Sequence, residues 1–224
     1  MNKSVTAITT DFFSQAEKEK ILQAVADAES SSSGEIAIMV LPESDRYREA
    51  EDLGALLLAG LVALVICVVL HYVTVWTNLD YFTIWVYIPL ACLLFFPSLL
   101  LFRRFPRLKI SFAGRLRQAE AVRVRALIGF YENGLYRTEG ETGILIFISL
   151  LEHKVWILGD RGINEKIPAG YWESLAGELA TGIRSGQAAE TLCHVVAECG
   201  AELARHFPRS HDDRNELPNE ILTS

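Results

Sequence analysis

Residues 142–160 read TGILIFISLLEHKVWILGD. Two apolar, β-branched runs, TGILIFISL and HKVWILGD, flank the dipeptide LE, which is the pattern of two strands joined by a tight turn. Two strands alone are marginal in water, so the fold turns on where a further strand comes from. Only one other stretch has the same character: EIAIMVLP at residues 35–42, short, apolar and closed by Pro42. A lone strand cannot satisfy its own backbone groups. The economical solution pairs it with the later hairpin, so that everything between them is an insertion within one α/β domain whose helices pack on the apolar faces of the sheet.

Helical periodicity supplies those helices. Ser14 and Glu17 stand in capping-box spacing, Ile21, Leu22, Val25 and Ala28 follow as an apolar stripe, and a serine run with Gly34 ends it. Leu116, Ala119, Val122, Ala126 and Phe130 share a face of a second, long helix capped at Gly134. IPAGYWESLAGELATGIRSG and QAAETLCHVVAECGAELARHF give two more, split at Ser185 and Gly186. The closing stretch is polar and holds two prolines, which suits an extended tail.

The insertion has a different chemistry. Residues 53–73 carry no charged side chain over 21 positions and residues 81–102 none over 22. At about 1.5 Å per residue each reaches across the roughly 30 Å hydrocarbon core of a bilayer. A core helix of this length would keep a polar stripe, and a run that starts at residue 53 lies too far in for a cleaved signal peptide. Tyr72, Trp76, Tyr81, Trp85 and Tyr87 cluster around the connection, where amphipathic rings favour the headgroup level. The expected organisation is a first domain segment at 10–50, a transmembrane hairpin at 53–102 with helices 53–73 and 81–102, a basic segment and second domain segment at 103–218, and a tail at 219–224.

Charge sets the orientation. Across residues 103–125 eight basic residues face a single acid, Glu120, with Arg103, Arg104, Arg107 and Lys109 directly after the second apolar run. The connection between the apolar runs has no Lys or Arg. Basic flanks stay cytoplasmic, so both termini are expected on the cytoplasmic side of a bacterial inner membrane, with these four residues against the lipid surface. Elsewhere acids dominate, eleven against five bases in 1–52 and fifteen against eight in 126–224, which suits no nucleic-acid partner. Cys67, Cys92, Cys193 and Cys199 form no CxxC or His/Cys metal spacing.

The segments FFSQAEKEKILQAVADAESSSSGEIAIMV, GLYRTEGETGILIFISLLEHKVWILGDRGI and HFPRSHDDRNELPN resemble the TPM-domain family, in particular bacterial membrane proteins whose domain is interrupted by a two-helix hairpin. The resemblance covers residues 10–50 and 112–218. It implies a small mixed β-sheet sandwiched by helices. Members of the family have been described as acid phosphatases, divalent-metal-binding domains and accessory proteins in membrane-complex assembly. Other branches carry a leading signal peptide, an exported domain and often a Gly-rich tail, and this chain is expected to depart from them.

Candidate site residues follow from the strand ends. Glu43 and Asp45 lie just after the first strand and Glu152 in the hairpin turn, so a parallel pairing would gather these three at one end of the sheet. Asp160 would then lie at the opposite end, as a turn residue or as a carboxylate projecting into a crevice. Calcium or magnesium needs several converging oxygens, and these four are not expected to converge together. Asp212, Asp213, Asn215 and Glu216 concentrate oxygen ligands in the tail but lack an EF-hand spacing. No Gly-x-Ser-x-Gly elbow or Walker loop is present. Within the apolar runs the only ionisable side chain other than cysteine and tyrosine is His71, which gives transport little support. The expected function is a membrane-anchored interaction or assembly module for membrane proteins, with a divalent-metal-dependent phosphatase as the alternative.

Overall fold

The computed structural model describes residues 12–74, 80–138, 140–209 and 221–223. The chain falls into two compact units, one made of residues through Asp45 together with Ala119 onward, the other of Arg46–Gln118.

The first unit is mixed α/β. Strands β1 (Ile36–Leu41), β2 (Ile144–Ser149), β3 (Lys154–Gly159) and β4 (Ile221–Leu222) form one sheet in the order β3-β2-β1-β4. β1 and β2 pair in parallel from Ile36↔Ile144 to Leu41↔Ser149, so the strand encoded before the insertion does complete the later hairpin. β2 and β3 pair antiparallel from Ile144↔Gly159 to Ser149↔Lys154. The turn is longer than LE: Leu150 and His153 belong to it, and His153 takes a left-handed φ of 50°. β4 pairs in parallel with β1 through Ile38↔Ile221 and Met39↔Leu222, giving the tail expected at 219–224 a place in the sheet.

Alternation along the strands sorts side chains onto two faces. Ile36, Ile38, Val40, Ile144, Ile146, Ile148 and Ile157 enter one apolar cluster with helices α1 (Gln15–Glu29), α7 (Tyr171–Arg184) and α8 (Ala188–His206). Met39, Leu41, Leu145 and Phe147 enter a second cluster with Val122, Ala126 and Phe130 of α5 (Arg115–Glu132). Every residue of β2, which has a strand on either side, is buried. Ser14 caps α1 in a full capping box with Glu17, whose carboxyl its side-chain and backbone hydrogen bonds to Ser14 hold below the usual range. Gly134 takes φ 76° just past α5, the left-handed turn that ends a helix most cheaply with glycine.

The second unit holds α2 (Arg48–Thr74), α3 (Asp80–Arg104) and the short α4 (Pro106–Phe112). α2 packs on α3. Ala55, Ala59, Ala63 and Cys67, one helical turn apart, are all 5% exposed or less, whereas Leu56, Leu61, Leu93 and Phe96 are each more than half exposed. Small side chains at four-residue steps let two backbones approach closely. By length and composition both helices could cross a membrane, and only 28% and 11% of their most apolar windows is buried.

Candidate functional site

The end of the sheet carrying Glu43, Asp45 and Glu152 is built as a brace. β1 and β2 stay paired past their last residues, with the Leu150 N–H donating to Leu41 O at 3.0 Å and the Leu151 N–H to Pro42 O at 2.9 Å. This pairing brings Ser44 over Glu152. The Ser44 N–H donates to Glu152 Oε1 at 3.0 Å, the Ser44 hydroxyl donates to Ser149 Oγ at 2.8 Å, and the Ser149 hydroxyl donates in turn to Glu152 Oε2. Ser149 is 1% exposed and Glu152 7%. A buried carboxylate with two donors of this kind locks a loop, since removing it would strand a backbone amide. Glu43 and Asp45 are half-buried beside it and hold interactions of their own. Among the described residues no group of three or more His, Cys, Asp or Glu is placed to hold a metal ion. Asp212, Asp213, Asn215 and Glu216 lie outside the described residues.

Asp160 lies at the opposite end, and its surroundings account for the sequence GDRG. Its N–H continues the ladder to Gly143 O at 2.8 Å, and its Oδ1 accepts from the Arg161 N–H at 2.7 Å as the N-cap of a one-turn helix, α6 (Arg161–Asn164). The turn expected here is thus a helix start. Arg161 donates through Nε and Nη2 to the two carboxylate oxygens of Glu141 at 2.8 and 3.0 Å, an exposed fork. Gly162 is pressed against the 140–141 backbone, where an added Cβ would stand 2.8 Å from Glu141 O and nearer still to Gly140 O. Asn164 donates to Gly159 O at 2.6 Å and accepts from Trp172 Nε1 at 2.7 Å. The second oxygen of Asp160 is buried with no hydrogen-bond partner among the described residues.

A recess of this unit lies elsewhere, along β3. β3 is an edge strand, and the Asp160–Gly143 bond fixes the phase of its ladder. Hydrogen-bonded pairs then recur at 158/145, 156/147 and 154/149, and the N–H and C=O groups of Val155 and Ile157 point away from β2. Those four groups have no partner among the described residues. A groove of about 330 Å³ runs beside them. α7 walls it on one side with Trp172, Ala176 and Ala180, α5 on the other with Ala119 and Val122. α7 begins where β3 ends, with Trp172 Cζ2 3.3 Å from the position of a Cβ on Gly159, and returns along the strand. Lys154, His153 and Arg184 therefore mark one end of the groove and Glu173 the other. Lys154 and Arg184 reach no carboxylate among the described residues. Sequence reasoning missed this groove because nothing in KVWILG says that the strand is an edge; the one-turn spacing of Trp172, Ala176 and Ala180 was its only local signal.

Burial pushes the Cys199 thiol up from an ordinary 9.0 to about 12, and Cys193 upward as well. Both stay thiols at neutral pH, and neither is an activated nucleophile. Tyr171 is also pushed up to about 12, first by burial and then by Glu202 and Glu198.

In the second unit the four basic candidates part company. Arg103, Arg104 and Arg107 are exposed, but Lys109 is 5% exposed, lies 3.6 Å from Glu51 and donates to Arg46 O at 3.2 Å. Lys109 thus departs from the expectation of a basic residue against a lipid surface: it is buried against a partly buried acid of α2, which the exposed Arg103 also approaches through Nε at 3.9 Å.

No family model matches the chain, and no curated protein matches it. Among solved structures it is similar to the NMR structure of BA42 protein from the psychrophilic bacterium Bizionia argentinensis, with TM-score 0.56 and 20% identity over 95% of this chain and 96% of that one. At that identity the likeness concerns the fold alone.

Proposed function

We propose that the chain is a bacterial inner-membrane protein in which a two-helix anchor interrupts a cytoplasmic TPM-like domain, its sheet sandwiched by helices. The domain serves as an interaction or assembly module for a membrane or membrane-proximal protein partner. Apolar side chains left uncovered on α2 and α3 support the anchor, since patches of that extent need an apolar neighbour. Arg103 and Arg104 at the end of α3 and Arg107 in α4, all exposed, support cytoplasmic termini, because basic flanks are retained on that side.

One observation carries the module function. The α/β unit holds an apolar-walled groove beside an open strand edge, while Glu152 and Asp160 are engaged in bracing and capping. The metal-dependent phosphatase alternative would need converging carboxylates, and the described residues offer no such group. Crosslinking in the native membrane tests the proposal: repeated capture of one membrane-associated protein is expected. Phosphate release by the purified chain with magnesium or calcium, abolished by Asp160→Asn, would overturn it. A reporter fused after Ser224 that is active only outside the inner membrane would overturn the topology.

A further inference from the structure

Resting on the interaction function proposed above, we infer that the β3 groove binds an extended protein segment by antiparallel strand addition, with an acidic residue or C-terminal carboxylate at its Lys154–Arg184 end.

The backbone specifies the form of the occupant. Val155 and Ile157 each turn an N–H and a C=O outward, so a partner strand forms four main-chain hydrogen bonds through two of its residues, spaced two apart. An exposed edge with unpaired amides is a template for another chain, and both flanks of this one are walled. The side chains of the two partner residues opposite Ile157 and Val155 fall on the face of the sheet covered by α7, against Ala176 and Ala180. Those alanines leave room for aliphatic side chains. The intervening residue meets Ala119 and Val122 of α5.

Charge specifies the direction. Lys154 and Arg184 stand at the end of the groove where β3 starts and meet no carboxylate among the described residues, and Glu173 stands at the far end. An antiparallel segment ends near Lys154, where a terminal or side-chain carboxylate completes both cations. A parallel segment would bring its amino end there instead. The surrounding chain is acidic, with a net charge of −7, so this end of the groove runs against the general charge and selects for an acid.

The test uses the full chain in detergent micelles and a synthetic acetylated peptide, Thr-Val-Thr-Val-Thr-Asp with a free carboxylate, followed by amide hydrogen exchange read by NMR. At about 1 mM peptide, exchange at Val155 and Ile157 is expected to slow about tenfold, as a site nine-tenths occupied requires. The inward amides of Trp156 and Leu158 should be unchanged. The same peptide ending in an amidated lysine should protect less than about twofold. Val155→Pro, which removes an outward N–H and leaves the ladder to β2 intact, should abolish protection at Ile157, as should the double variant Lys154→Glu with Arg184→Glu. Unchanged exchange at Val155 and Ile157, or equal protection by both peptides, overturns the inference. A captured membrane partner whose crosslinks lie outside the groove leaves the module function standing and removes this site. Protection by the peptide with no partner captured does the reverse.

Discussion

Replacing Glu152 by alanine tests whether the sheet end that gathers Glu43, Asp45 and Glu152 is a brace or a ligand site. Two donors lose their acceptor: the Ser44 N–H at 3.0 Å and the Ser149 hydroxyl, which is 1% exposed. A hydrogen bond to a charged group contributes about 1.5–3 kcal/mol, and a buried donor left without a partner costs about 1–3 kcal/mol. Water can reach the half-buried Ser44 amide but not Ser149, so the sum is taken near the low end, about 3 kcal/mol. Glu152→Gln keeps the volume and one acceptor oxygen and should cost about 1 kcal/mol. Native-state hydrogen exchange of the Ile146 and Phe147 amides, which report opening of the central strand, reads these values directly. Glu152→Ala should accelerate their exchange about a hundredfold. Ser149→Ala removes the same hub, so the double variant should cost at least about 1 kcal/mol less than the sum of the single changes. A loss below about 0.5 kcal/mol with additive single variants would refute the brace.

Gly162→Ala should destabilise the α/β unit by about 1–3 kcal/mol, because its methyl group would collide with the Gly140 and Glu141 carbonyls; chemical denaturation followed by tryptophan fluorescence checks it. Asp160→Ala should cost about 1 kcal/mol through the lost N-cap and Asp160→Asn much less, read by the same assay. Ala59→Leu, at a position 0% exposed on the face of α2 packed in the hairpin, should weaken the α2–α3 pairing by about 1–3 kcal/mol, visible as altered crosslinking between cysteines placed on the two helices. Stability should decline at alkaline pH. The folded state holds the Cys199 and Tyr171 protons up to about 12, whereas the unfolded chain releases them near 9.0 and 10.0. Their contribution is therefore complete below about pH 9 and disappears as pH rises towards 12. Cys199→Ala should flatten the early part of that decline in thermal unfolding, and an unchanged pH profile would refute the assignment.

Long periodic patterns were the legible part of this fold. The β1–β2 pairing followed from a strand that had no other partner, and both apolar helices from their length. What escaped the sequence depends on strand order and on very short elements. β4 is two residues in a polar, proline-bearing stretch, too little for alternation to register. α6 is one turn, so Asp160 looked like a turn residue although it starts a helix. Edge position gives β3 its function as a groove wall, and strand order is decided by pairing across the whole chain. Lys109 resembled its basic neighbours, and only the return of α4 onto Glu51 distinguishes it. The parallel β1–β2 pairing puts the ends that precede Glu43, Asp45 and Glu152 on one side of the sheet, but the partners of Glu152, the serines at 44 and 149, carried no signal of their own.

The Lys109 contacts also bear on how the chain closes on itself. Ser44 and Glu152 are 108 positions apart, and the sheet's central pair spans the same distance. Joining ends that far apart costs more entropy than a short loop, growing with the logarithm of length. Once α2 and α3 are paired, Lys109 against Glu51 and Arg46 brings the two ends of the hairpin together, so only about 45 residues remain to be closed between β1 and β2. The saving is about 0.8 kcal/mol. During synthesis β1 emerges early and waits for its partner, and the hairpin helices emerge before β2. The clasp at the base of the hairpin therefore shortens the loop that the sheet has to close, and a chain unable to pair its two helices should fold its α/β unit more slowly.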